Sequence, residues 1–179
     1  MKLSVPLKNK MKIRSAELKE FDFVFDEIEK NFIIDERRDR EDAFRLFESK
    51  KYDILLIISE ETVIGFFTVW KILDFCFIEH FVIIEKYRSR GYGAEALGLL
   101  YKLFSKIVLE AEPCIGEIQR RRLGFYKRCG FIENEGEYLQ PSYRFDGNEV
   151  PLVIMSYPEK LSDFERDVFA IKATVYRND

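Results

Sequence analysis

The chain has 179 residues, of which 47% are hydrophobic and 34% are charged, and its formal net charge is −3. This length suits one domain with a single core, and the charge balance lacks the global basic field that a nucleic-acid partner would require. No apolar run approaches the roughly 18 residues of a membrane span, so no membrane partner is expected. Three cysteines lack a metal-type spacing and the N-terminus lacks a signal-peptide pattern, which predicts a cytoplasmic protein without a metal site.

The first half of the chain predicts an arm, one strand, two helices and a β-hairpin. Residues 1–10 hold a proline and three lysines and are expected to be a flexible N-terminal arm, so a single domain would span 11–179. Alternating residues predict strands, and apolar residues at helical spacing predict helices. The elements expected in this half are a strand at 11–16, helices at 17–31 and 37–49, and strands at 53–59 and 62–70.

The second half of the chain alternates strand and helix patterns. The expected elements are a strand at 75–84, a helix at 92–106, a strand at 107–111, a helix at 118–129, a short strand at 131–133, a long loop or ragged hairpin at 134–149, a strand at 151–157 and a C-terminal helix at about 162–176. Ser162 and Glu165 resemble a capping box at the start of the last helix. This order predicts an α/β fold with a central mixed, mostly antiparallel sheet and helices on both faces.

The stretch Phe75–Phe104 carries the clearest functional signal, because a strand leads through a basic, glycine-containing turn into a helix. The turn reads Arg88, Ser89, Arg90, Gly91, Tyr92, Gly93. Free N–H groups and the dipole at a helix start favour an anion, and arginines add charge-assisted hydrogen bonds. Neither a P-loop nor a Rossmann glycine pattern is present. The stretch therefore predicts a phosphate-binding site of another type.

Two segments resemble the GCN5-related N-acetyltransferase (GNAT) superfamily. They are Ile78–Ala94, which contains the R-x-x-G-x-G turn, and Leu123–Ile132, in which Phe125-Tyr126 precedes Gly130-Phe131. The resemblance covers roughly 11–157 and implies a GNAT-like acyl-CoA N-acyltransferase fold with acetyl-CoA (coenzyme A) as co-substrate and no metal. It implies that Arg88 to Ala94 hold the pyrophosphate, with Ala94 completing the helix start. It also implies that the pantetheine arm pairs with the backbone of Phe81, Val82 and Ile83, where this strand splays from 107–111.

The same resemblance assigns the chemistry. Tyr126 matches the general acid beside the cofactor sulfur, and its phenol is protonated at neutral pH. Glu79 is the best base candidate, since partial burial would raise its pKa; the alternative is a structural carboxylate satisfied by hydrogen bonds. Strand alternation predicts that His80 points to the opposite sheet face from Glu79, as a satisfied core or surface histidine. Arg120 could reach a coenzyme A phosphate or lie on a solvated helix face.

These residues together predict an N-acetyltransferase that transfers the acetyl group to a primary amine by direct attack in a ternary complex. The alternative is a non-catalytic acyl-CoA-binding regulatory module of the same fold. The acceptor would be a small-molecule or peptide amine. Because the charged residues of 133–149 are acidic except for Arg144, a cationic amine is expected to bind against that loop. Faces rich in phenylalanine leave room for a homodimer.

Overall fold

The computed structural model describes residues 11–144 and 147–176, so the predicted flexible arm at 1–10 lies outside the described residues. The strands are β1 (Lys12–Ser15), β2 (Asp53–Ser59), β3 (Thr62–Ile72), β4 (Phe75–Ile83), β5 (Ile107–Ala111), β6 (Ile132–Glu133), β7 (Tyr138–Gln140) and β8 (Val150–Tyr157). The helices are α1 (Phe21–Asn31), α2 (Arg40–Glu48), α3 (Tyr92–Leu100), α4 (Glu117–Arg128) and α5 (Phe164–Ile171), and a π-helical turn (Lys172–Tyr176) continues α5. Short 3₁₀ turns cover Leu18–Glu20, Ile34–Glu36 and Glu85–Tyr87.

The strands form one mixed sheet in the order β1-β2-β3-β4-β5-β8-β6, with β7 also pairing with β8. The pairs run antiparallel except for β4 and β5, which are parallel. A parallel pair needs a crossover connection, and α3 supplies it here. The predicted mixed, mostly antiparallel sheet with helices on both faces is confirmed.

Helices cover both faces of the sheet and bury two separate apolar layers. We call one side the α1 face, because α1, α2 and α5 pack there through residues such as Phe25, Phe47 and Ile171. We call the other side the α3 face, where α3 and α4 pack through residues such as Leu97 and Leu123. Fully buried side chains of this size each contribute about 1.5–3 kcal/mol, so both layers fix the sheet firmly.

Two predicted helix boundaries need correction. The helix predicted to run to residue 106 ends at Leu100. The residues that follow form turns with hydrogen bonds that span three residues, such as the bond from the Leu103 N–H to the Leu100 carbonyl, before the chain enters β5. The prediction of a capping box formed by Ser162 and Glu165 is wrong. The N-cap of α5 is Asp163, whose side chain accepts a hydrogen bond from the Arg166 N–H. An aspartate one residue later therefore satisfies the free N–H of the first turn.

A β-bulge interrupts β4 in the middle of the sheet. Thr68 pairs with His80 and Val69 pairs with Ile78, so Glu79 is the extra residue without a partner in β3. An extra residue reverses the alternation of side chains beyond it. Both Glu79 and His80 therefore face the α1 face, where each contacts residues of that layer. The prediction that His80 points away from Glu79 is wrong, since simple alternation does not survive a bulge.

One glycine in this sheet is required by the close approach of two strands. A Cβ built on Gly65 of β3 would lie 2.3 Å from the backbone oxygen of Val82, whereas a Cβ on Gly98 of α3 meets nothing within 4 Å. We expect Gly65→Ala to lower the free energy of unfolding by about 1–3 kcal/mol, because the strands must move apart. Gly98→Ala is the matched control and should raise it by about 0.5–1 kcal/mol. Urea unfolding of both variants measures this; equal stability of the two would contradict it.

Candidate active site

An opening in the sheet positions the candidate site. The parallel pairing of β4 and β5 consists of three residue pairs and ends at Ile78 and Leu109, although β4 continues to Ile83 and β5 to Ala111. The gap between the two strands leads into a cavity of about 620 Å³, a volume typical of ligand sites. The expected splay of the two strands is thus present, and residues from β4, β5, α3, α4 and the segment after α1 line the cavity.

The start of α3 forms one end of this cavity. Gly91 is the N-cap with φ of +82°, and a Cβ there would meet open space. Ser89 also has a positive φ of +61°. A Cβ on Gly93 would lie 3.1 Å from the Phe125 ring, so a larger residue would crowd α4. The residues at the start of α3 line the cavity, and the first N–H groups of a helix have no partner within it, so this arrangement suits the pyrophosphate of a nucleotide-type ligand.

The two arginines of the turn differ in position. The Arg88 Nε donates to the carbonyl of Ile83 at 2.8 Å, and its Nη2 donates to the Asn31 side chain at the end of α1. Arg88 lines the cavity together with Ser89, Gly91, Tyr92, Gly93 and Ala94, whereas Arg90 does not. Arg88 therefore links the turn at 88–93 to β4 and α1, while Arg90 is exposed outside the cavity wall.

The inner edge of β4 presents backbone groups to the gap. The Ile84 N–H donates to the Ile64 carbonyl of β3, and backbone groups alternate in direction along a strand. The N–H of Ile83, and that of Phe81 two residues before it, therefore point toward the gap. Phe81, Val82 and Ile83 all line the cavity, so the predicted pantetheine strand has the required edge.

Tyr126 lies on α4 and faces the cavity from the α3 face. Burial raises the pKa of Tyr126 to about 12, with Arg122 opposing the shift. The phenol is therefore fully protonated at neutral pH and can only donate a proton there. Phe125 also lines the cavity, and its ring centroid lies 6.4 Å from that of Phe81.

Glu79 faces the cavity from the other side of the sheet, and its carboxylate is held firmly. It accepts hydrogen bonds from Arg38 Nη2 at 2.9 Å and from Trp70 Nε1 at 2.6 Å. Only 2% of the Glu79 side chain and 5% of the Arg38 side chain are exposed. Burial alone would raise the pKa of Glu79, but attraction by the Arg38 guanidinium, with the hydrogen bond from Trp70, opposes burial, and the pKa of Glu79 is lowered. The expectation of a raised pKa is therefore wrong.

His80 is a satisfied core histidine. Its Nδ1 lies 3.0 Å from the Thr68 hydroxyl, and its Nε2 lies 3.2 Å from the Glu36 carbonyl oxygen. The ring also packs edge-on against Phe32 at 4.5 Å between centroids. Burial lowers the pKa of His80, so the ring is neutral at neutral pH. Its partners explain a structural role in holding the 32–36 segment on the sheet.

Sequence reasoning missed Glu110 of β5, which lines the cavity opposite β4. Its two carboxylate oxygens accept hydrogen bonds from the Tyr138 and Tyr176 hydroxyls, the latter at 2.6 Å. Burial raises the pKa of Glu110 to about 7, while both tyrosine hydrogen bonds oppose the shift. A single glutamate inside the apolar strand Ile107–Ala111 was the available signal, because a charged residue in a buried strand needs a reason.

Helix α4 contributes two further cavity residues to which the sequence assigned no role. Arg121 and Arg122 line the cavity, whereas Arg120 does not, and Arg122 pairs with Glu112. Helical spacing could have found them, since residues four positions before Phe125 and Tyr126 share their faces. Of the two alternatives for Arg120, the structure favours the solvated helix face, because the residue lies outside the cavity wall.

The acidic loop does not form the cavity wall that was expected. Glu133 pairs with Lys127, and Glu135 pairs with Lys160. Among the described residues of 133–149, only Gln140 lines the cavity, and Asp146 lies outside the described residues. The carboxylates that do line the cavity come from elsewhere: Glu36, Glu79, Glu110 and Glu112. Burial and repulsion by Glu112 raise the pKa of Glu36.

Neither a metal-binding cluster nor a membrane-spanning helix occurs among the residues that the structure describes. No group of three or more potential metal ligands occurs within residues 11–144 and 147–176. In the same part of the chain, no helix is long and apolar enough to cross a membrane.

Comparison with known proteins places these features in a family. The model of the Acetyltransferase (GNAT) family matches residues 19–131, which is more than half of the chain. A Bacteroides thetaiotaomicron protein assigned to the GNAT family as an acetyltransferase has a similar structure, with a TM-score of 0.87, 26% identity and coverage of 94% of this chain and 99% of that one. No curated protein matches the chain in sequence.

Two further solved structures share the fold at lower identity. NAA60 of Arabidopsis thaliana in complex with acetyl-CoA has a TM-score of 0.64 and 17% identity, covering 83% of this chain and 98% of that chain. The ribosomal-protein-S18-alanine N-acetyltransferase of Escherichia coli has a TM-score of 0.62 and 17% identity, covering 86% and 97%. With the match of the family model over residues 19–131, the chain belongs to the GNAT family of acetyltransferases.

Proposed function

We propose that this protein is an N-acetyltransferase that transfers the acetyl group of acetyl-CoA to a primary amine within a ternary complex. The observation that carries the proposal is the gap between β4 and β5, which joins the phosphate turn to a pair of carboxylates through one cavity. An acetyl-CoA molecule has its phosphates at one end and its thioester at the other, so it matches this polarity. The amine would enter from the α1 face, where Glu36, Glu79 and Glu110 lie.

The residues of the cavity fit acetyl-CoA as a substrate. The start of α3, from Arg88 to Ala94, would bind the pyrophosphate through backbone N–H groups and the arginine charge. The backbone edge of Phe81, Val82 and Ile83 would pair with the pantetheine amides as an added strand. The free N–H of Ile83 would polarise the thioester carbonyl. Tyr126 would stand near the sulfur and protonate the departing thiolate.

Glu79 is proposed as a fixed negative charge at the reacting end. Its bonds to Arg38 and Trp70 keep it ionised, and a carboxylate retains lone pairs for a further donor. It would therefore attract the ammonium group of a cationic amine, while its low pKa makes it a poor proton acceptor. The carboxylates around it favour a cationic acceptor, such as a polyamine or a peptide N-terminus.

The alternative is a non-catalytic acyl-CoA-binding module. The ion pair of Glu79 with Arg38 favours this alternative, because it makes Glu79 a poor base.

Release of free thiol from acetyl-CoA separates the two functions. We expect release with at least one amine of a panel that contains spermidine, propylamine and a short peptide beginning with alanine. Spermidine should be the best of the three, because its charges complement the cavity carboxylates. Binding of acetyl-CoA without release for every amine would support the module instead.

The role of Tyr126 can be tested by removing one oxygen atom. Tyr126→Phe should lower kcat by about 100-fold or more, because the leaving thiolate loses its proton donor. Affinity for coenzyme A, measured by calorimetry, should change by less than about twofold, because the ring remains. Tyr157→Phe is the matched control, since Tyr157 lies outside the cavity wall, and it should retain wild-type kcat. An unchanged kcat for Tyr126→Phe would remove this hydroxyl from the mechanism.

The two arginines of the phosphate turn give a second matched pair. Arg88→Ala should weaken coenzyme A binding by about tenfold or more, because it removes a charge at the helix start and the bond to the Ile83 carbonyl. Arg90→Ala removes the same charge from a position outside the cavity wall, so its effect should stay below about threefold. Calorimetric titration with coenzyme A measures both. Equal losses would show that the turn acts only through its net charge.

A further inference from the structure

Two carboxylates occupy equivalent places on the strands that border the gap. Ile78 and Leu109 form the last pair of β4 and β5, and the next residues along the two strands are Glu79 and Glu110. Both line the cavity. Both also face the α1 face: Glu79 bonds to Trp70 and Glu110 bonds to Tyr138 and Tyr176, which belong to that layer. Tyr126 belongs to the opposite layer.

The partners of these two carboxylates differ in charge. Glu79 faces the Arg38 guanidinium, so protonating it would leave a buried cation without its counter-ion. Glu110 accepts from two neutral phenols, and neither partner would be left with an unpaired charge if Glu110 gained a proton. Glu110 therefore can change its protonation state at low cost, whereas Glu79 cannot.

We propose that Glu110 is a further catalytic residue, which takes the proton that the ammonium group of the acceptor must lose before it attacks. Tyr138 and Tyr176 are its positioning residues, because each fixes one oxygen of the carboxylate. The proposal rests on the proposed N-acetyltransferase function and names the proton acceptor of that reaction.

The groups that surround Glu110 set the pH at which it acts. Tyr138 comes from β7, Tyr176 and Lys172 come from the C-terminal turn, Glu79 comes from β4, and Tyr143 lies behind Tyr176 with 3.4 Å between the hydroxyls. Burial and the Glu79 charge raise the pKa of Glu110 to about 7, while the two tyrosine bonds and Lys172 act in the other direction. A base with a pKa near the working pH is efficient, since it is both ionised and able to hold the proton.

The atoms and charges of the step balance. The ammonium transfers one proton to Glu110, and the free amine nitrogen then bonds to the acetyl carbon. The carbon–sulfur bond breaks, and the thiolate takes the proton of the Tyr126 hydroxyl. The nitrogen of the new amide loses its second proton, which returns to the Tyr126 oxygen through solvent. Glu110 finally releases its proton to water, so the net products are the amide, free coenzyme A and one proton.

The rate of thiol release as a function of pH tests this role, with spermidine as the amine. Wild-type kcat/KM should rise through a pKa near 7, because Glu110 must be ionised to accept a proton. Glu110→Gln should lower kcat/KM at neutral pH by about 100-fold and abolish that rise. Glu48→Gln, an exposed residue at the end of α2, is the matched control and should keep the wild-type profile. A wild-type rise that persists in Glu110→Gln would overturn the proposal.

Two further variants, which both keep the Glu110 carboxylate, separate catalysis from folding. Tyr176→Phe removes a hydrogen bond that lowers the pKa of Glu110, so the rise should move to higher pH by about 0.5–1 unit. Glu79→Gln removes a charge that raises this pKa, so in folded Glu79→Gln the rise should move to lower pH and persist. A purely structural role of these residues would lower the rate without moving the profile. Loss of the rise in folded Glu79→Gln would assign the base to Glu79 and overturn the proposal.

A titration that needs no acceptor keeps this test independent of the proposed function. In protein labelled with ¹³C at the glutamate carboxyl carbons, with coenzyme A bound, the Glu110 resonance should titrate between about pH 6 and pH 8. Its assignment follows from its loss in Glu110→Gln. A Glu110 carboxyl that stays ionised down to about pH 5 would overturn the proposal. Absence of thiol release with every amine, beside normal titration of Glu110, would count against the acetyltransferase function instead.

Discussion

The site depends on the fact that β4 and β5 pair over three residues and then part. Each strand keeps an antiparallel partner on its outer side, β3 for β4 and β8 for β5, so both continue in the sheet after the inner pairing ends. The inner edges then carry N–H and C=O groups without ladder partners, and such groups require others. Arg88 satisfies one of them by bonding to the Ile83 carbonyl. The remaining edge is a template for a ligand with amide groups, and this single defect in the sheet explains why the cavity crosses it.

The bulge at Glu79 lies where the gap between β4 and β5 begins, and it determines which side chains face the α1 face there. It turns Glu79 and His80 to the same face. There, the buried Arg38 donates hydrogen bonds to Glu79 and to the carbonyl of Val175, the latter at 2.7 Å. Arg38 also stacks over Trp70 and Tyr143. Removal of one partner of such a buried ion pair is strongly destabilising, because the other charge is left uncompensated. The C-terminal turn is therefore part of the site, since Val175 holds Arg38 and Tyr176 holds Glu110.

Much of this arrangement could be predicted from the sequence, and the failures have physical causes. The patterns that predict the strand at 75–84, the turn at 88–93 and the helix that carries Tyr126 are local in sequence. Their structure depends mainly on neighbouring residues, so it can be predicted from the sequence. The predicted orientation of His80 is wrong because the bulge depends on the pairing of β4 with β3, which no local sequence pattern reveals. The prediction of a raised pKa for Glu79 is wrong because Arg38, 41 residues away in sequence, opposes the effect of burial on that pKa. Glu110 was missed for the same reason: its partners Tyr138 and Tyr176 come from distant elements.

In the proposed reaction, the two faces of the sheet would separate the acid from the base. The thiolate would leave on the α3 face, where Tyr126 is buried with a pKa of about 12 and would serve as a proton donor only. The amine would arrive on the α1 face, where carboxylates line the cavity and cannot donate a proton while they are ionised. A proton would thus enter the reaction on one side of the sheet and leave it on the other. Because the pKa of Tyr126 is about 12 and that of Glu110 is about 7, the phenol cannot protonate the carboxylate, and both groups would keep the protonation states that the proposed reaction requires until the substrates fill the gap.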